Sequence, residues 1–266
     1  MKLLIFYFFS MIMASTAEAQ TAAFDQNHGL WSKVLTEYVV QSKQTTQVKY
    51  FELSKNENDL NLYLKGIEAV TKTQYSTWTE KQKLAFLFNS YNAFTIKLIL
   101  TELKKDKNLK SIKKLGGLFS NAWKIKFFNF LGKESSLDGI EQDIARKDFD
   151  EPRMHFAFNC ASIGCPALQN EAYTAEKLDH QLDLATRNFL KDQTRNELNK
   201  KNHTLSLSQI FRWYRDDFEN SKKLGPLAKF ILTYFPFTEE EKKEYASGKY
   251  DLKFLEYNWD LNGWKM

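Results

Sequence analysis

Thr79-Glu80-Lys81-Gln82-Lys83-Leu84-Ala85-Phe86-Leu87-Phe88-Asn89-Ser90-Tyr91-Asn92-Ala93-Phe94 opens the longest regular element that this sequence can form. Thr79 and Gln82 stand at capping-box spacing, so a helix starts there and runs to about Leu103. On that helix Asn89, Asn92 and Ile96 share one face, and Leu87, Tyr91, Phe94 and Leu98 share the other. Asparagine is a poor helix former because its amide competes for the backbone. Two of them on one face of an apolar helix therefore need a tertiary reason. Either a buried amide network positions a loop, or the amides bind a ligand or orient a catalytic group.

Outward from this helix the chain alternates helical and short extended stretches. Asp25 to Gln41 places Trp31, Val34, Leu35 and Tyr38 on one helical face, and Leu60 to Val70 is a second amphipathic helix. Val48 to Leu53 reads as a short strand, and the lysine-rich Lys104 to Lys114 as a solvated surface turn, with Gly116-Gly117 marking a further turn. Phe127 to Leu131, broken by Gly132, suggests a strand entering a hairpin; Asp138 to Glu141 starts a helix that ends before Pro152. Met154 to Cys160 reads as a buried strand, Thr174 as a helix start, Thr204 to Leu207 as a strand, and Ser208 as the cap of a helix over Ile210 to Phe218. Helices over Pro226 to Tyr234 and from the Thr238 capping box to Gly248 follow, and Leu252 to Leu261 suggests a last strand. With no regular βαβ rhythm, the expected class is α+β, mainly helical with a small, mostly antiparallel sheet. The expected organisation is a signal over 1–19, an N-terminal helical layer over 20–73 and a core over 74–266 packed with it as one domain.

The signal rests on Met1 to Gln20: Lys2, an uncharged apolar run from Leu3 to Met13, and the small-x-small triplet Ala17-Glu18-Ala19. The run is shorter than the ~20 residues of a spanning helix. The expectation is cleavage after Ala19 and a soluble exported protein, periplasmic or extracellular, with no membrane span in the mature chain. Composition fits a folded protein, with 43% hydrophobic residues, 22 Phe, 12 Tyr and 6 Trp but only 4 Pro among 266 residues. A net charge of +5 suits an anionic partner without requiring one. The lysine run lacks interleaved aromatics, so no nucleic-acid partner is expected. Phosphate-loop, dinucleotide, G-x-S-x-G and H-E-x-x-H motifs are all absent from the sequence.

Chemistry concentrates in Arg153-Met154-His155-Phe156-Ala157-Phe158-Asn159-Cys160-Ala161-Ser162-Ile163-Gly164-Cys165-Pro166. An imidazole titrating near neutrality beside cysteines invites a Cys–His hydrolase reading. Strand parity argues against it, since His155, Ala157 and Asn159 would face one way and Phe156, Phe158 and Cys160 the other. Three states of the sulfurs stay open: a disulfide favoured by export, structural thiols, or a catalytic thiol at either Cys160 or Cys165. The C-x4-C spacing is a poor zinc signature, so no metal and no cofactor are expected. Leu207 to Phe218 reads as a structural helix on which Arg212, Arg215, Asp216 and Asp217 pair, or as a carrier of an Arg for a substrate anion. His28, His180 and His203 read as surface residues.

These segments together resemble the domain-of-unknown-function family numbered 547. The resemblance rests on Ala85-Phe86 through Asn89-x-Tyr91-Asn92-Ala93, on Ser136 to Glu141, and on Pro152-Arg153-x-His155-Phe156-Ala157-x-Asn159-Cys160-Ala161-Ser162-x-x-Cys165-Pro166-x-Leu168. It continues through Leu207-Ser208-x-Ile210-Phe211-x-Trp213-Tyr214-x-x-Asp217-Phe218 and Tyr257-x-Trp259-x-Leu261-Asn262. Leu87 departs from it, standing where a Trp is common. The resemblance implies a recurring His155, Cys160 and Cys165 cluster. It also weighs against an obligatory disulfide, because members occur where thiols stay reduced. A helix followed by a His-bearing strand is loosely similar to papain-like and transglutaminase-like enzymes, whose nucleophile sits at a helix N-terminus; here that helix carries Asn89 and Asn92 and no Cys.

The resulting expectation is an exported thiol-dependent hydrolase or acyl transferase acting on an amide- or peptide-type bond of an unidentified small molecule or peptide. Cys160 or Cys165 would be the nucleophile and His155 the base. Asn89, Asn92 or Asn159 would be the orienting or oxyanion group, and Glu141 a further polar partner. The alternative is a non-catalytic binding or scaffold module in which the same polar groups form a buried network.

Overall fold

Glu80–Lys105 is one helix of 26 residues, opened by the Thr79–Gln82 capping box in both its hydrogen bonds. The computed structural model, which describes residues 23–42, 45–115 and 121–263, wraps the rest of the chain around it. The helix is long and apolar enough to cross a membrane, but 89% of its apolar window is buried inside the fold. Helix Asn58–Glu68 packs beside it and Gly29–Tyr38 packs on Asn58–Glu68, and one apolar cluster runs from Trp31 through the central helix to Leu182. A second cluster gathers Phe156, Phe189, Phe211, Phe218 and Phe230. Met154, Ala157 and Phe158 belong to the first cluster and Phe156 to the second. His155 therefore lies at the seam of the two.

The class is α+β, mainly helical, with three separate small sheets among the described residues. Strands β1 (Val39–Ser42) and β2 (Thr45–Val48) pair antiparallel, as do β3 (Phe128–Phe130) and β4 (Lys133–Ser135). Leu131 and Gly132 make the β3–β4 turn with φ of 52° and 79°, the left-handed backbone that suits glycine. In the third sheet β6 (Thr204–Leu207) lies between β5 (Glu197–Asn199), antiparallel, and β7 (Asp251–Phe254), parallel. The expected export signal and the Gly116-Gly117 turn lie outside the described residues. Within Lys104 to Lys114 every lysine is exposed, while Leu109 and Ile112 anchor the segment.

Several local expectations need correction. The N-terminal helix stops at Tyr38 because the β-branched Val39-Val40 pair enters β1. The extended stretch near Val48 ends there, and Tyr50–Leu53 is a helical turn. The helix expected from Thr174 begins at Leu178, the Thr174 N–H being taken by Gln181 Oε1 at 3.1 Å. Met154 to Cys160 is not a strand. Pro152–Phe156 is a 3-10 helix, with proline at its first turn and the Glu151 carboxylate capping the Arg153 N–H at 3.1 Å. Ile210 to Phe218 is two short helices that break at Tyr214. His28 is fully buried, its Nδ1 2.6 Å from Tyr63 Oη, and burial brings its pKa down to about 4 against a weaker opposing pull from Asp25.

Both ends of the irregular chain from Ala157 to Tyr173 are buried against the central helix, so their peptide groups need partners there. Two side chains supply them. Asn92 donates from Nδ2 to Ala157 O at 2.9 Å and accepts from the Asn159 N–H at 2.8 Å. Asn89 does the same for both peptide groups of Tyr173, at 2.7 and 3.0 Å. Asn159 then repeats the device, donating to Pro166 O at 2.8 Å and accepting from the Ala161 N–H at 2.9 Å and, at 3.3 Å, from Asn262 Nδ2.

Two expectations follow. Asn92→Ala strands a buried carbonyl and a buried N–H, and should lower unfolding free energy by about 2–4 kcal/mol in urea titration; a loss below ~1 kcal/mol would show that the clamp does not hold the segment. His28 is neutral in the fold and titrates at its ordinary value when unfolded, so stability should fall as pH drops from about 6.5 toward 4. His28→Gln should flatten that slope in thermal melts, and an unchanged slope would remove His28 as a cause.

Candidate active site

The break at Tyr214 turns its ring flat onto His155, with centroids 3.8 Å apart and planes at 19°. Three residues further on, Asp217 Oδ2 meets His155 Nε2 at 2.7 Å. Arg146 holds the same carboxylate from the other side, through Nε at 2.6 Å and Nη2 at 2.8 Å, and also reaches Gln142 Oε1. Burial pushes the Asp217 carboxyl up, but the His155 hydrogen bond and the Arg146 guanidinium outweigh it and hold it well below the usual carboxylate range. Burial lowers the His155 pKa, and Asp217 opposes this without overcoming it. The pair is thus a neutral imidazole donating Nε2–H to a carboxylate, which leaves Nδ1 as a lone-pair nitrogen. That Nδ1 is buried and has no hydrogen-bond partner in the protein.

Glu141 sits one turn before Arg146, in a π-helical stretch, Glu141–Ala145, that follows the Leu137–Ile140 turn. Its Oε1 accepts from Tyr214 Oη at 2.7 Å. Burial raises its pKa, against hydrogen bonds from Tyr214 and Tyr91. Tyr91 in turn accepts from Trp123 Nε1 at 3.1 Å. Two linked chains therefore meet at the stacked His155 and Tyr214 rings: Arg146–Asp217–His155 and Tyr214–Glu141–Tyr91–Trp123.

His155, Glu141, Cys160 and Cys165 line one cavity of about 210 Å³. Its walls are Trp123, Trp213, Tyr257 and Trp259. Trp213, Tyr257 and Trp259 pack on one another with centroids 4.4 to 5.5 Å apart, and Trp213 is 46% exposed at the rim. Cys160 and Cys165 are joined as a disulfide. Cys160 Sγ lies 3.1 Å from Ser162 Oγ, and the Tyr257 hydroxyl is 3.3 Å from each sulfur. Gly164 is required in this loop, because a Cβ there would stand 2.9 Å from both Asn258 O and the Tyr257 ring.

The fold thus brings four of the seven sequence candidates to the cavity and leaves three elsewhere. Asn89, Asn92 and Asn159 are buried, and both ends of each amide are engaged by backbone or by Asn262, so none faces the cavity as an orienting or oxyanion group. The parity argument against a His155–Cys160 site falls with the strand on which it depended. Arg146, Tyr214 and Tyr257 are not among the sequence candidates, and Asp217 is read there only as a charge that pairs on its own helix. Asp217 and Tyr214 lie in the segment that reads as a structural helix, where the break at Tyr214 turns both toward His155. Among the described residues no group of three His, Cys, Asp or Glu is arranged to hold a metal ion.

Residues 75–190 match the model of a family described as Protein of unknown function, DUF547. No curated protein and no solved structure matches the chain. The matched segment contains Asn89, Asn92, Glu141, His155 and both cysteines, in the order that the motifs implied, and also Arg146. Through residues 75–190 the chain is similar to the DUF547 family.

Proposed function

We propose that the cavity is the active site of an exported thiol-dependent hydrolase or acyl transferase acting on an amide- or peptide-type bond. One observation carries the reading: a buried imidazole shares a cavity with Cys160, is oriented by a carboxylate through Nε2, and keeps Nδ1 free. Such an oriented ring nitrogen can act as a general base toward a thiol that comes within hydrogen-bond reach of it. Export is supported by the Lys2, Leu3 to Met13 and Ala17-Glu18-Ala19 pattern.

In this reading the reduced Cys160 passes its proton to His155 Nδ1 and its sulfur bonds to the substrate carbonyl carbon. Asp217 is a positioning residue: it fixes the tautomer and stabilises the imidazolium that forms. The Ser162 and Tyr257 hydroxyls beside Cys160 Sγ are the donors at hand for the developing oxyanion. The imidazolium then protonates the leaving amine as the carbon–nitrogen bond breaks. Water, or an acceptor nucleophile, releases the acyl group from the thioester and restores the thiol. The aromatic walls suit an acyl or peptide substrate with an apolar or planar portion. The competing reading, a binding module, draws on the engaged Asn89, Asn92 and Asn159 amides and on the Trp- and Tyr-rich rim.

With protein reduced beforehand, p-nitrophenyl acetate should give a burst of one nitrophenolate per chain and an acetyl group on Cys160 in peptide mass spectra. Cys160→Ala should abolish the burst and His155→Ala should slow it by about 10²–10⁴-fold. Equal acylation of wild type and Cys160→Ala would leave the binding module standing. The base must be unprotonated, so the rate should fall as pH drops through a value below 6.5, the ordinary histidine value. Asp217→Asn removes what raises that pKa, so it should shift the acid limb to lower pH while reducing the plateau. An unmoved limb would mean that His155 is not the titrating base.

A further inference from the structure

We propose that Cys160–Cys165 is a redox-active disulfide that exchanges with a low-molecular-weight thiol entering the aromatic-walled cavity. The two sulfurs are not equivalent. Cys160 is partly exposed, whereas Cys165 is 3% exposed. A thiolate arriving from the cavity meets Cys160 Sγ first, which makes Cys165 the leaving group.

The site is equipped for that departure. The Cys160 N–H points at Cys165 Sγ at 2.8 Å, and the Tyr257 hydroxyl donates to the same sulfur at 3.3 Å. Two donors aimed at a sulfur favour its thiolate, and a better leaving thiolate speeds exchange. Burial pushes the Tyr257 hydroxyl well above its ordinary pKa, so it keeps the proton it donates.

The loop does not need the disulfide for its shape. Asn159 ties Ala161 to Pro166, Arg195 Nη2 donates to Ile163 O at 2.6 Å, and the Ile163 and Gly164 N–H groups bond to Asp260 O and Asn258 O at 2.8 Å. A cross-link between residues five apart also closes a short loop, which adds less entropic stability than a bridge over a long one. A bond set in a cavity wall, on a loop held by other means, can open and close without refolding.

The ligand's thiol loses its proton to solvent, and its sulfur bonds to Cys160 Sγ as the Cys160–Cys165 bond breaks and Cys165 departs as thiolate. A second ligand thiolate attacks the ligand sulfur of the mixed disulfide and releases Cys160 as thiolate. Two thiols become one disulfide, and the protein disulfide gains the two electrons as a dithiol. The exchange uses the cavity of the proposed acyl-transfer reading and would supply its reduced Cys160, yet it is measured without any acyl substrate.

The full chain should carry the disulfide as isolated in air, and cysteamine or dithiothreitol at low millimolar concentration should open it without denaturant and without change in circular dichroism. Tyr257→Phe should slow opening several-fold. Native Cys165→Ala, offered cystamine, should accumulate a Cys160–cysteamine adduct by intact mass at least about tenfold faster than Cys160→Ala accumulates one on Cys165. Should either variant fail to fold, partial reduction of the wild type followed by alkylation gives the same reading, with Cys160 modified ahead of Cys165. Two free thiols in the native protein, a requirement for denaturant, or equal labelling of the two positions would each overturn the proposal. Failure of the acylation burst with exchange intact would sink only the hydrolase reading.

Discussion

Two asparagine carboxamides hold the irregular segment that carries the cysteines. The chain between the 3-10 helix at Pro152–Phe156 and the helix at Leu178–Lys191 crosses the core with no strand or helix to satisfy its peptide groups. Asn89 and Asn92 each present a donor and an acceptor from one face of the central helix, and so serve as lateral pairing partners for that chain. An unpaired buried peptide group is costly, so this pairing selects one path for the backbone. His155, Cys160 and Cys165 all sit on that path or at its edge.

The tail completes the arrangement from the opposite side. Asn262 donates to Asn159 Oδ1, its own N–H bonds to Ala161 O at 3.0 Å, and Tyr50 donates to its Oδ1 at 2.9 Å. Ala161 adopts a φ of 57°, a conformation rarely taken by a residue with a Cβ and held here by bonds on both sides. The cysteine loop is therefore clamped between the central helix and the C-terminal segment, and its sulfurs are presented to the cavity with little freedom.

The cavity lies at the seam between the two apolar clusters. Its imidazole and its carboxyl Glu141 are both buried, and burial moves them in opposite senses: the histidine toward lower pKa and the carboxyl toward higher. Both shifts favour uncharged forms, while Asp217 keeps its charge because Arg146 and His155 surround it. An imidazole and a carboxyl shifted toward their uncharged forms thus face an aromatic hollow, with the Asp217 charge held behind the imidazole.

Local physics made much of this legible in the chain alone. The capping box and apolar run predicted the central helix, Gly132 predicted the hairpin, and the misplaced asparagines announced a tertiary demand that propensity could not meet. The order of motifs also pointed to the DUF547 family. Tertiary structure decided the rest, because those outcomes depend on contacts between residues distant in sequence. Whether Asn89 and Asn92 serve a ligand or a loop depends on what packs above them. Pro152 and Glu151 turned an apparent strand into a 3-10 helix and reversed the parity of His155 and Cys160. The partnership of His155 with Asp217, 62 positions away, exists only because a break at Tyr214 folds one short helix back over the seam, and neither periodicity nor composition encodes where such a break will point.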